Sequence, residues 1–354
     1  MSAPSLDAQP INLAALQSRI EEVLHGFLDA KTRAAQDLTM PADVPTVLQD
    51  FLTAGGKRLR PLLCVLGWHA AGGQGDDTAV VRTAAALEMF HAFCLIHDDI
   101  MDSSVTRRGR PTVHRTLADQ HGHDHLGTSA AILIGDMALA WSDELLHTAG
   151  HPPHRLTALR QVIDVMRQEV IYGQYLDLMT PLGPITDHEA ALQVIRFKTA
   201  KYTVERPLHC GAVLAGAEPE VHIALSRYAL PLGEAFQLRD DLLGIYGHPD
   251  HTGKPVLDDL REGKRTVLIV LAAQRADTAQ RKLLDTLLGS PDLDHDGAAR
   301  IRTVLDATGA RATVEDMIHA RRVQALTALD AVPYPQPAAA ALRHLAARAV
   351  ERTS

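Results

Sequence analysis

Along most of the chain apolar residues recur three and four positions apart, as in "AALQSRIEEVLHGFL" (14–28) and "TALRQVIDVMRQEVIYGQYLDLM" (157–179). This is the spacing of one face of an α-helix, and the alternation that marks a strand is scarce. Ala and Leu, both strong helix formers, dominate these stretches, so the pattern predicts an all-α fold. Clusters of Gly, Pro and Asp interrupt it at 40–45, 70–77, 148–155, 216–220, 289–297 and 332–337. By these breaks the chain divides into about ten helices. No repeat of solenoid period is present, and no Gly/Ser-rich or charged linker cuts the sequence. The expected organisation is a flexible tail over residues 1–10 and a single helical domain over 11–354.

Composition narrows this picture. With 354 residues, 46% of them apolar and 22% charged, the chain can bury a sizeable core. A net charge of −8 disfavours a nucleic-acid partner, whose phosphates require an excess of Lys and Arg. The three cysteines, Cys64, Cys94 and Cys210, are far apart and set in apolar surroundings. They read as reduced core thiols in a cytoplasmic protein, not as a disulfide framework or a zinc site. No uninterrupted apolar run approaches the roughly 20 residues of a membrane span, and the first residues lack a basic segment followed by an apolar one. Any membrane association is expected to be peripheral.

The chemistry concentrates in "CLIHDDIMDSSVTRRGRP" (94–111). Asp98 and Asp102 stand four apart with Asp99 adjacent, so a helix brings all three near one face. The preceding "ALEMFHAFCLI" is almost wholly apolar, which places this acidic end in a cleft rather than on a solvated face. Carboxylates gathered there suit a hard cation such as Mg²⁺, which takes one or two of them together with water and phosphate oxygens. A second pair, Asp240 and Asp241, follows another amphipathic helix in "GEAFQLRDDLLGIYG" (233–247). Two such helices face to face would clamp a diphosphate through several Mg²⁺ ions. Asp177, which also ends an apolar stretch, reads equally well as an ordinary surface residue.

Basic loops accompany the acidic helix ends. "GGKRLRP" (55–61) couples two glycines to Lys57, Arg58 and Arg60 and reads as an anion site. Its spacing is not that of a nucleotide-binding P-loop, and neither is that of "TGKP" (252–255) or "EGKRT" (262–266). Arg107, Arg108 and Arg110 follow the first acidic cluster, and Lys254 and Lys264 follow the second. There are enough separate basic groups for two diphosphates.

Seven segments, "GGKRLRP", "LIHDDIMD", "RRGRPTVH", "YGQYLDL", "FKTAKYT", "GEAFQLRDDLLGIYG" and "TGKPVLDDLREGKRT", resemble the trans-polyprenyl diphosphate synthases in order and spacing, over roughly residues 20–350. The resemblance implies an isoprenoid synthase fold, a helical bundle around a central substrate cavity, usually as a homodimer. It implies an enzyme that joins isopentenyl diphosphate to an allylic diphosphate (dimethylallyl, geranyl or farnesyl) and releases pyrophosphate. Asp98 and Asp102, with Asp99 beside them, would hold two of three Mg²⁺ ions, and Asp240, supported by Asp241, the third. Arg107, Lys198, Lys254 and Lys264 match contacts to the allylic diphosphate. Gly56, Lys57, Arg60, His91 and Arg108 match the isopentenyl diphosphate site, while Thr199 and Gln237 match polar groups near the allylic carbon. One position departs from the family pattern: Gly244 stands where many members carry a third aspartate. Asp240 is then expected to be the ligand, the missing group one outside the metal's direct ligands, and the metal affinity weaker.

Product length is expected to depend on Phe93 and Phe90, five and eight residues before Asp98 and so about 7.5 and 12 Å down the helix. Either could floor a tunnel, and the small Cys94 leaves space beside Phe93. An aromatic at the fifth position and an uninterrupted "DDIMD" resemble geranylgeranyl diphosphate synthases and imply a C20 product, with the C15 farnesyl enzyme as the alternative. Other readings account for fewer of these residues. The pair His97–Asp98 occurs in HD-type phosphohydrolases, but that leaves Asp102, the second pair and "GGKRLRP" unexplained. Terpene cyclases need one diphosphate site, and a non-catalytic partner subunit would not need so many polar groups. His121, His123 and His125 fit no closed zinc pattern and read as a solvated loop.

Overall fold

In a computed structural model the chain is all-α, as the apolar periodicity predicts. The structure describes residues 10–183, 185–247 and 257–350. Among them are sixteen α-helices: α1 (Leu13–Asp37), α2 (Asp43–Thr53), α3 (Leu59–Ala70), α4 (Thr78–Met101), α5 (Val113–His121), α6 (Asp124–His147), α7 (Pro153–Met179), α8 (His188–Val194), α9 (Arg206–Ala215), α10 (Pro219–Tyr246), α11 (Asp258–Arg261), α12 (Val267–Arg275), α13 (Thr278–Leu287), α14 (His295–Ala307), α15 (Ala310–Asp330) and α16 (Gln336–Val350). A π-helix, Ile195–Glu205, joins α8 to α9. The expectation of about ten helices is too low. Several boundaries are made by single caps, which breaker clusters do not reveal: Asp277 forms a reciprocal capping box with Gln280, and Gly309 enters α15 in the left-handed conformation.

Two apolar cores meet along α3, whose residues 61–68 are buried on every side. One core packs α1, α2, α4, α6 and α7 around residues such as Leu24, Phe90 and Ile163, and the other packs α10, α12, α15 and α16 around Tyr228, Ile269 and Leu342. Tyr228, fully buried in that core, donates its hydroxyl proton to the Leu342 carbonyl at 2.8 Å. Close backbone crossings bind the two cores. On α9, a Cβ at Gly211 would sit 2.9 Å from the Gly67 carbonyl carbon and still closer to the Cys64 carbonyl oxygen of α3. Among the described residues α4 alone has the length and apolar composition of a bilayer span, and 67% of that stretch is buried. It is the central helix of its core.

Three elements frame the interior. α4 delivers its C-terminal carboxylates to the centre, α10 runs opposite, and the π-helix packs between α7 and α10. Glycines set the last of these distances. A Cβ at Gly173 of α7 would lie 2.8 Å from the Lys198 Cα, and one at Gly233 of α10 would lie 2.8 Å from the Ala200 Cβ. The one two-stranded ribbon among the described residues pairs Thr106–Arg107 with Arg110–Pro111. Arg108 and Gly109 at its turn both take positive φ, 53° and 73°, as tight hairpins require.

Candidate active site

A cavity of about 760 Å³ opens between α3, α4, α7, the π-helix, α10 and the segment 259–266. Its mouth is charged. Asp98 comes from α4, Asp177 from α7, Lys198 and Thr199 from the π-helix, Gln237, Asp240 and Asp241 from α10, and Asp259 and Lys264 from the segment beyond. The two acidic walls expected from the sequence therefore face each other.

Lysines pair with the carboxylates of the α4 end. Lys198 Nζ donates to Asp98 Oδ1 at 3.0 Å and to Asp177 Oδ2 at 2.7 Å, and Lys264 Nζ donates to Asp102 Oδ2 at 2.9 Å. Burial pushes the Asp98 carboxyl up, but Lys198, Lys264 and Arg107 outweigh it and hold the group down at about 2. Asp177, equally readable as a surface residue, belongs to this network.

Asp99 corrects one expectation. Unlike Asp98 it does not line the cavity, nor does it join Asp102 in reaching the lysines: it is 1% exposed, and both its oxygens accept hydrogen bonds from Arg107, Nε at 2.8 and 2.9 Å and Nη2 at 2.6 Å. Adjacent helical residues diverge by about 100°, so three carboxylates in five positions cannot all share one direction. Asp99 anchors Arg107, whose guanidinium lines the cavity 3.7 Å from Asp98.

On the opposite wall runs a hydrogen-bonded chain. Thr199 Oγ1 donates to Gln237 Oε1 at 2.6 Å, and Gln237 Nε2 donates to Asp241 Oδ1 at 2.8 Å. Burial raises the Asp241 carboxyl to about 8 against that hydrogen bond, helped by Asp240, Asp259 and Asp177. Among the described residues no three acidic, His or Cys side chains converge as a ready-made metal cage. The donors are carboxylate oxygens spread along two walls, a set that fits a hard cation completing its shell with phosphate oxygens and water.

At the other side of the mouth lie the basic groups. Lys57, Arg60 and His91 line the cavity. Arg60 Nη2 donates to Thr203 Oγ1 at 2.6 Å, and its guanidinium lies 4.3 Å from the Tyr202 ring centroid. Its Nε is buried without a hydrogen-bond partner. His91 is held well below the usual imidazole range by burial and by Arg60 and Arg108, so it acts as a neutral partner of Tyr202, 3.1 Å away. Gly56 and Arg108 stand behind this wall. Arg108 donates to the Gly55 carbonyl, and a Cβ at Gly56 would lie 3.0 Å from the Arg108 Nη2. Arg58, read with its neighbours as part of the anion site, is instead structural: it is 3% exposed and paired with Glu88 at 2.7 Å and Glu21 at 3.3 Å. Lys254 lies outside the described residues.

Away from these charges the lining turns apolar with Phe93, Cys94, Leu95 and Val170. Of the two proposed floors, only Phe93 lines the space. Phe90 is 2% exposed and sits behind it, its ring 5.4 Å from that of Phe93 and 5.9 Å from that of Tyr202. Burial pushes the Cys94 thiol up to about 12, leaving it an inert filler beside Phe93. Reading the sequence singled out neither Tyr202 nor Asp259, although both fall within quoted motifs. A tyrosine in a long helical stretch and an aspartate in a single helical turn carry no periodic signal that separates a cavity wall from core or surface.

Fold and cavity together define a class: a helical bundle built around an amphiphile, polyanionic at one end and apolar at the other. A family model for polyprenyl synthetase matches residues 42–305. A geranylfarnesyl diphosphate synthase of Aeropyrum pernix is 34% identical over 263 residues, covering 73% of this chain and 78% of that one. A geranylgeranyl diphosphate synthase of Saccharolobus solfataricus is 34% identical over 261 residues, or 72% and 74% of the two chains. Among solved structures, a geranylgeranyl pyrophosphate synthase of Corynebacterium glutamicum, complexed with isoprenyl diphosphate and magnesium, superposes with a TM-score of 0.92 at 41% identity, over 97% of this chain and 100% of that one. The chain belongs to the polyprenyl synthetase family. It has the isoprenoid synthase fold and is a prenyltransferase that elongates short isoprenoid chains.

Proposed function

We propose that this enzyme condenses isopentenyl diphosphate with an allylic diphosphate to make geranylgeranyl diphosphate, as a homodimer in the cytoplasm and with three Mg²⁺ ions. The observation that carries the reading is the cavity itself: two carboxylate walls and a basic mouth lead into an apolar channel lined by Phe93. Asp98, Asp102 and Asp240 would hold the ions, which when bound neutralise the diphosphate and let the allylic C–O bond ionise. Lys198 and Lys264 exchange their carboxylate partners for diphosphate oxygens, and together with Arg107, which Asp99 keeps in place, stabilise the charge that grows on the leaving pyrophosphate. Lys57 and Arg60 hold the second diphosphate, with Arg108 and Gly56 shaping that wall.

The Thr199 hydroxyl and Gln237 amide, tied to each other, present fixed dipoles near the reacting carbon. The departing pyrophosphate takes the C–O bonding pair, the alkene of isopentenyl diphosphate forms the new C–C bond, and pyrophosphate accepts the proton then lost. The apolar depth excludes the water that would quench the cation. A C15 product is the second reading, favoured by a (2E,6E)-farnesyl diphosphate synthase of Mycobacterium tuberculosis that is 33% identical over 300 residues.

The test incubates purified protein and Mg²⁺ with isopentenyl diphosphate and dimethylallyl, geranyl or farnesyl diphosphate, with products resolved by mass spectrometry after dephosphorylation. Geranylgeraniol is expected as the main alcohol. Farnesol would overturn the length assignment and keep the chemistry, and no elongation by folded protein would overturn both. With Phe93→Ala the main product lengthens by at least one five-carbon unit; an unchanged spectrum removes Phe93 as the floor.

A further inference from the structure

The second acidic motif lacks its third carboxylate, yet the space beside Gly244 is filled. A Cβ at position 244 would lie 3.1 Å from the Asp259 Cγ and closer still to its Oδ2. We propose that Asp259 supplies the carboxylate that Gly244 lacks, facing the metal ions of the α10 wall beside Asp240. The inference rests on the diphosphate–metal reading given above. Asp240, Gly244 and Asp259 line the same cavity. A helical residue four after Asp240 points the same way, so a carboxylate lying against Gly244 stands where an aspartate at 244 would direct its own.

Asp259 is also firmly placed. It belongs to α11, whose Leu260 is 1% exposed and accepts a hydrogen bond from the Gly289 N–H at 2.9 Å. Arg261 next to it donates to the Leu293 carbonyl at 2.7 and 3.0 Å. Supporting Lys264 does not account for Asp259. Lys264 Nζ has closer partners in Glu262 at 2.7 Å and Asp102 at 2.9 Å, against 3.8 Å to Asp259. Gly244 and Asp259 thus form a reciprocal pair: the glycine leaves room for a carboxylate that arrives from another element.

The experiment measures Mn²⁺ binding by electron paramagnetic resonance in the presence of inorganic pyrophosphate, on the full chain. Asp259→Asn and Asp259→Ala are expected to weaken Mn²⁺ binding about 10-fold with the helical circular dichroism unchanged. Gly244→Asp alone gains nothing, because Asp259 occupies the space, whereas Gly244→Asp combined with Asp259→Ala recovers most of the loss. Wild-type affinity in Asp259→Asn, or a folded double variant no better than Asp259→Ala, overturns the proposal. If the wild type itself neither binds Mn²⁺ with pyrophosphate nor elongates, the underlying reading falls and takes this one with it. If it does both and Asp259→Asn is unaffected, only the role of Asp259 is lost.

Discussion

Lys198 binds two carboxylates that are only about one-fifth exposed, Asp98 and Asp177. Removing it leaves both partly buried charges facing each other, and an uncompensated polar group of this kind costs about 1–3 kcal/mol. Lys198→Ala is therefore expected to lower the melting temperature of the ligand-free protein. Mg²⁺ with pyrophosphate should recover much of that loss, since it brings back positive charge. Turnover should fall by about 10²–10³-fold and stay low, because the ammonium that stabilises the leaving group is gone. Equal stability of the variant and the wild type without ligands would show that the two contacts carry no net energy. At this scale much of the site was legible, since charge density within a few positions is a property of sequence. What escaped was direction. Asp99 turns away to hold Arg107, Arg58 turns inward to Glu88, and Asp259 arrives beside Gly244 from fifteen residues away. Each outcome depends on what the rest of the fold brings near, and no local spacing encodes it.

At the scale of elements, the π-helix has the most exacting placement. It carries Lys198 and Thr199, and π-geometry is rare and concentrated at functional sites. Gly173 and Gly233 press it from either side, with backbone or Cβ atoms where their own Cβ atoms would be. Gly233→Ala should force α10 and the π-helix apart by a few tenths of an ångström or more, costing roughly 1–3 kcal/mol of stability. The Thr199–Gln237 hydrogen bond spans these two elements, so kcat should fall more than KM rises. A variant that loses stability with unchanged kcat would confine Gly233 to packing. The helical period predicted the elements that flank this segment, but a π-helix shares their composition and differs only in hydrogen-bond register. The same limit explains the low helix count: Asp277 and Gly309 each end one helix and start another without the Gly/Pro cluster that signals a break.

Across the whole molecule, surface and interior each make a testable demand. α6 and α7 expose Leu126, Ile132, Leu133, Met137, Val165, Ile171 and Tyr172, an apolar set that a lone soluble chain would leave wetted. A second copy covering it is the expected assembly, so Leu133→Glu should shift the size-exclusion elution from dimer to monomer, and a monomeric wild type would refute the pairing. The interior demand comes from two carboxyls shifted in opposite directions. Asp98 is held at about 2, below its ordinary 3.8, so the stability it lends is present above pH 4 and is lost as pH falls toward 2. Asp241 is raised to about 8, chiefly by burial, so the folded protein binds a proton that the unfolded chain releases near pH 4. Its contribution is complete below pH 4 and declines as pH rises through 8. Without ligands, the melting temperature of the wild type should accordingly fall between pH 6 and pH 9, and that of Asp241→Asn, which mimics the protonated form, should fall less. Mg²⁺ with pyrophosphate brings positive charge to the same wall and favours the ionised carboxyl, so it should flatten the wild-type profile. Identical pH profiles for the two proteins would show that Asp241 is already ionised in the folded state and that its wall needs no added cation to carry the charge.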